Sequence, residues 1–159
     1  MLTRKFWLAT LVIVVTSSAA LAGAQKQVKS EARDARTALG CVRTINTASA
    51  VYKSTYDNTY SPTLAAMGIN PTSTRPTAEA ARFIDNSLSG GKKAGYVFTY
   101  KSGAKDKFGH ITSYAVTARP QKWQKGVVSF FTDQTGVIRW TKDNRMPTVK
   151  DPTIDSLAN

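Results

Sequence analysis

Two residue types that build many catalytic and metal sites are nearly missing from this chain. It has one cysteine, Cys41, and one histidine, His110, in 159 residues. A single cysteine excludes an intramolecular disulfide, so the fold must rest on its apolar core. One His and one Cys would need two acidic partners to complete a tetrahedral zinc site, and nothing carries ligand spacing. Any Ser-His-Asp or Cys-His arrangement would have to use His110, which sits in "FGHIT" without a nucleophile elbow. His110 is therefore expected to be an exposed structural residue. Cys41 falls in a helical pattern without a partner histidine, and reads as a small buried apolar residue rather than a reactive thiol.

Acidic residues are also scarce: 10 Asp plus Glu stand against 22 Lys plus Arg, a net charge of +12. A carboxylate pair for glycoside hydrolysis would come from Asp57, Asp85, Asp106 and Asp133, and no pattern selects a pair among them. "LSGGKKAG" has glycines and lysines but lacks the strand-loop-helix order and the Lys-Ser/Thr ending of a phosphate loop. It reads as a helix stop leading into a strand. These shortages argue against an enzyme, and no cofactor is implied. The cation excess favours anionic surfaces, but the basic residues are scattered rather than massed, and such a charge also keeps a protein soluble.

Long apolar runs are missing too. "FWLATLVIVV" spans about 10 residues, whereas a membrane-spanning helix needs about 20. Arg4 and Lys5 precede it and the small-residue stretch "TSSAALAGA" follows, the order of a secretory signal peptide. Residues 1–24 are expected to be that leader, cut after Ala24 (Ala22 also fits), with the mature chain starting at Gln25. The alternative is a retained anchor from Phe6 to Gly23, the one case in which the chain would engage a membrane. A lipid anchor would require cysteine where Ala24 stands. The localisation that follows is periplasmic or extracellular, or the inner membrane if the anchor is kept.

The mature chain changes period halfway. From Val28 to about Tyr56, residues Ala35, Leu39, Val42, Ile45, Ala48, Tyr52 and Tyr56 recur at three- and four-residue steps, one apolar stripe of a long helix. Asp57 and Asn58 end it. Pro62 opens a short helical turn with Ser61 as its cap, closed by Gly68. Thr77 then caps a helix over "TAEAARFIDNSL", with Ala78, Ala81, Ile84 and Leu88 on one face. Four strands follow, in "AGYVFTYKSG", "HITSYAVTARP", "GVVSFFTD" and "GVIRWT". Asp133 and Gly136 in "DQTG" suit a bulged hairpin turn. The last residues have two prolines and little periodicity, and read as an irregular, partly ordered end. The expected fold class is α+β: a long N-terminal helix on a four-stranded antiparallel sheet, one domain over residues 25–154 with a tail at 155–159.

The pieces "VRTINTASAVY", "FIDNSLSGGKKAGYVFTY" and "SFFTDQTGVIRW", in that order, resemble the globular domain of type IV pilin-like proteins, above all an acidobacterial type. Tyr60, Pro62, Leu64, Met67 and Gly68 match the tyrosine-proline-glycine element that follows the long helix in pilins and in the major pseudopilins of type II secretion. The resemblance covers about Glu31 to Ile154 and implies the helix-on-sheet fold and an envelope location. Nothing in "MLTRKFWLATLVIVVTSSAALAGAQ" matches a prepilin leader, so filament membership is not implied. Major pseudopilins often hold calcium near the end of the sheet. Asp143, Asn144 and Asp151 are the oxygen donors in the matching region, interleaved with basic residues.

The expected function is a non-enzymatic exported pilin-like protein of the cell envelope, with a structural or interaction role toward an envelope protein or surface partner. The alternative is a module for DNA or an anionic polymer. It would use the basic loops around Lys92–Lys107 and Arg119–Lys125, with contacts from Lys92, Lys93, Arg119, Lys122, Trp123 and Lys125. Cations there would hold phosphates and the indole of Trp123 would stack on a base.

Overall fold

The computed structural model describes residues 13–157 apart from 73 and 74, with side chains from Ala22 to Ser156. The charged and apolar start of the expected leader lies outside the described residues. The chain divides into two compact units, one ending at Arg33 and the other beginning at Asp34. The first holds the opening turns of helix α1 (Ile13–Thr55). Among the described residues, no helix is long and apolar enough to cross a membrane.

The second unit carries the core. Its part of α1 buries Ala38, Cys41, Val42, Ile45, Ala48, Ser49 and Tyr52, close to the predicted stripe. Ala35, Leu39 and Tyr56 flank it, half-buried. Arg36 and Arg43 point to solvent, while Lys53 folds over the ring of Tyr60 at 4.8 Å. The helix ends where expected. Asp57 (φ 46°) and Asn58 (φ 55°) both take the left-handed conformation, which Asn and Asp tolerate better than other side chains.

The sheet has five antiparallel strands, not four, in the simple order β1-β2-β3-β4-β5. They are β1 (Lys92–Lys93), β2 (Tyr96–Ser102), β3 (Tyr114–Pro120), β4 (Ser129–Asp133) and β5 (Arg139–Thr141). The extra strand is the two-residue β1. It escapes a periodicity reading because two residues carry no alternation, and only the turn at Ala94 (φ 48°) and Gly95 (φ 71°) folds it against β2. Alternation sends Tyr96, Phe98, Tyr114, Val116, Ala118 and Phe130 into the core shared with α1. Val97, Thr99, Thr117 and Arg119 then fall on the opposite face. The hairpin turn forms as expected: Gly136 takes φ 76° and donates its N–H to the Asp133 carbonyl at 2.9 Å. The Asp133 carboxylate accepts from the Thr135 amide, also at 2.9 Å.

One polar bridge fastens helix to sheet. Asn46 donates to the Thr132 hydroxyl (2.9 Å) and to the Gly136 carbonyl (3.1 Å), and its own carbonyl accepts from Tyr114 Oη at 3.0 Å. Tyr114 stacks on Tyr100 at 5.5 Å. Burial pushes its phenol up to about 12, so its hydroxyl stays a donor.

Two further expectations are corrected. The helix predicted from Thr77 is only α2 (Asn86–Ser89), capped by the Asp85 carboxylate rather than by Thr77. The amides of Ala81, Arg82, Phe83 and Ile84 donate instead to the carbonyls of Ala66, Gly68 and Met67. A backbone that bonds sideways cannot also bond along its own axis. Ala81, Ile84 and Leu88 are still buried, since these apolar residues reach the core by this other route. The 3-10 turn Ala65–Met67 starts after Leu64 and is not capped by Ser61, which is fully buried and donates to the Thr63 carbonyl, while the Thr63 hydroxyl accepts from the Ala66 amide. The last described residues are irregular and partly ordered, as expected. Thr153 bridges to Arg139, a 3-10 turn runs Ile154–Leu157, and Trp140 Nε1 donates to the Thr153 carbonyl. The turn crosses the expected domain end at residue 154.

Candidate functional site

Strand register decides which of the six predicted contact residues meet. Lys92 pairs with Val97, and Val97 with Arg119. Directly opposed residues in adjacent strands share a face. Lys92 and Arg119 thus flank Val97 in one row on the outer face, about 10 Å apart at two strand spacings. In the next row on that face, Thr99 pairs with Thr117. Lys93 lies one residue along and takes the other side. There it meets the Asp85 carboxylate at 2.6 Å, and each group favours the charged form of the other. Lys93 is thereby separated from the set.

Beyond β3 the chain turns through residues 121–128 and brings Trp123 back beside the outer face. The result is a groove of about 390 Å³. Val97, Thr99, Thr117 and Arg119 form its floor, with Pro120, Gln121 and Trp123 on one side and Asn144 and Met146 on the other. Trp123 is 37% exposed, so it walls the groove rather than capping the core. Lys122 and Lys125 are exposed in the same loop and do not line the groove.

Arg119 is held in place by the far wall. Its Nη2 donates to Asn144 Oδ1 at 2.9 Å and its Nη1 approaches Met146 Sδ at 3.6 Å. Its Nε is buried without a hydrogen-bond partner among the described residues. The wall itself depends on a clasp. Asp151, 6% exposed, accepts from the Thr148 amide at 2.7 Å and from both terminal nitrogens of Arg145. The guanidinium beside it holds this carboxyl down at about 2. Arg139 Nη1 donates to the Asp151 carbonyl at 2.8 Å, tying the clasp to β5.

This arrangement engages the three oxygen donors, Asp143, Asn144 and Asp151, that the pilin resemblance would offer to calcium. The two carboxylates engage Arg145 and the amide oxygen engages Arg119. Guanidinium groups stand where a cation would, and a divalent ion would have to displace them. Among the described residues, no three His, Cys, Asp or Glu side chains stand together as a metal site.

The other chemistry-bearing residues serve local structure. His110 is partly exposed, its Nδ1 3.7 Å from Asp106 Oδ2. Asp106 accepts the amides of Phe108 and His110, which lowers its pKa and shapes the 103–109 loop. Asp85 caps α2 and Asp133 shapes the hairpin turn. Cys41 is 6% exposed, and burial raises its thiol pKa, away from thiolate reactivity.

Sequence reading reached Arg119 and Trp123 through their charge and aromaticity. It missed Thr99, Thr117, Gln121 and Met146. Strand parity carried a signal for the threonines, because Val97, Thr99, Thr117 and Arg119 all oppose the apolar residues of their strands. Compared with protein-family models, with curated proteins and with solved structures, the chain finds no match.

Proposed function

We propose that this chain is a non-enzymatic, exported, pilin-like protein of the bacterial envelope that acts through contacts of its folded domain. The observation carrying this reading is the apolar stripe of α1 seated on an antiparallel meander, with the "SFFTDQTGVIRW" hairpin at its end. This is the arrangement implied by the pilin resemblance. The residues from which catalysis would be built are engaged in turns, caps and the core, which favours contact over turnover. Export rests on the order of charge, apolar run and small residues in the first 24 positions.

Membrane fractionation with N-terminal sequencing tests the compartment. A soluble exported protein starting at Gln25 supports the reading, and an intact Met1 in the cytoplasm overturns it. The second reading, DNA or an anionic polymer as partner, is favoured by one observation: Lys92 and Arg119 share one sheet face, and Trp123 lines the groove beside Arg119. Retention on heparin or DNA that weakens steeply with salt supports it. No retention at low salt removes it.

A further inference from the structure

The groove on the outer sheet face has more hydrogen-bonding capacity than the fold uses. The hydroxyls of Thr99 and Thr117, the side-chain carboxamide of Gln121 and the indole N–H of Trp123 have no hydrogen-bond partners among the described residues. Between helix, loops and sheet, Asn46, Tyr96, Tyr100 and Tyr114 bond across the domain, while the buried Ser129 hydroxyl is left without a partner among the described residues. Four groups left unpaired around one concavity, beside an anchored guanidinium, form a ligand-shaped arrangement.

We infer that this groove binds an acidic saccharide, with a sugar ring against Trp123 and its carboxylate between Arg119 and Lys92. The inference rests on the reading that the domain works by binding, and it names the ligand class. Each part of the groove answers one part of such a ligand. An indole presents a flat face to the apolar face of a sugar ring. Thr99, Thr117 and Gln121 offer neutral donors and acceptors that match ring hydroxyls. Arg119, oriented by Asn144, presents a guanidinium suited to a carboxylate, and Lys92 adds a second cation on the same row. No carboxylate lines the groove to oppose it. The volume of about 390 Å³ falls within the range of small-ligand sites.

Two other features weigh against nucleic acid. Single-strand binding needs successive aromatic platforms and a continuous track of cations. Here one aromatic lines the groove, and Lys93 is drawn to Asp85 on the other side of the sheet.

The test is calorimetric titration of the full chain with three probes: a short oligogalacturonate, its methyl-esterified form, and single-stranded DNA of matched charge. The inference expects the oligogalacturonate to bind, and the methyl ester to bind about tenfold more weakly because the carboxylate contact is lost. Trp123→Ala and Arg119→Gln should each weaken oligogalacturonate binding about tenfold, while Thr117→Val weakens it less and leaves any DNA binding unchanged. Lys125→Gln, in the same loop but off the groove, should change little. Trp123 and Lys125 are exposed, so these two variants stay informative if Arg119→Gln perturbs the wall. Equal binding of acid and ester, or no effect of Trp123→Ala, overturns the inference. DNA binding tighter than the oligogalacturonate, with the same dependence on Trp123 and Arg119, replaces it with the nucleic-acid reading. Failure to bind any of the three at low salt overturns both.

Discussion

Replacing Asp151 by Asn tests how the groove's far wall is built. The substitution keeps the side chain's shape and removes its charge. Asp151 is buried, accepts three hydrogen bonds from Arg145 and the Thr148 amide, and titrates at about 2 rather than near 3.8. The folded state therefore favours the ionised carboxyl by about 2 kcal/mol over the unfolded chain. The guanidinium of Arg145 is 45% exposed, so water recovers part of what it loses when the pair breaks. Asp151→Asn is thus expected to destabilise the domain by about 2 kcal/mol at neutral pH, and less than a fully buried pair would imply. The pH dependence follows from the depressed pKa. The contribution is fully present above the unfolded pKa near 4, falls to about half by pH 3, and vanishes below about pH 2. Urea denaturation of both proteins across this range measures the gap. A gap under about 0.5 kcal/mol at neutral pH, or one that stays constant down to pH 3, would refute the reasoning. Loosening this clasp also frees Asn144 and Met146, so the variant should bind the groove's ligand more weakly.

Two further predictions concern the join between helix and sheet. Asn46→Leu removes bonds to Thr132, Gly136 and Tyr114, leaves the buried Thr132 and Tyr114 hydroxyls short of partners, and should cost about 2 kcal/mol. Denaturant midpoints of the variant and the parent decide this, and an unchanged midpoint would show the bridge to be dispensable. Cys41 should resist a thiol reagent in the native protein and react at the rate of a free cysteine once unfolded, since it is buried against the core with its pKa raised. Rapid stoichiometric labelling of the native protein would contradict its placement.

How much of this was legible in advance follows from the range of the forces involved. The stripe on α1, the strands β2 to β5 and the Asp133–Gly136 turn were readable because periodicity and turn chemistry are local. Residues a few positions apart settle them. The strand β1 and the collapse of the Thr77 helix were not readable. Both depend on which backbone carbonyl a distant amide finds: Gly91 for Phe98, and Met67 for Phe83 and Ile84. The clasp was half visible. Asp151 was picked out as an oxygen donor, and the structure pairs it with Arg145.

The candidate site divides the same way. The sequence by itself determined its ingredients: an arginine ending one strand, a tryptophan among lysines, and alternation that puts Thr99, Thr117 and Arg119 opposite the core residues of their strands. It determined the shortage of histidine, cysteine and acid that steers the reading from catalysis toward binding. Only the tertiary structure decided which ingredients meet. Register placed Lys92 beside Val97 and turned Lys93 toward Asp85, because neighbouring residues on a strand face opposite ways. The path of residues 142–152 brought Asn144 onto Arg119. Composition and local pattern are carried by the chain itself. A groove belongs to the packing, where residues far apart in sequence share one surface.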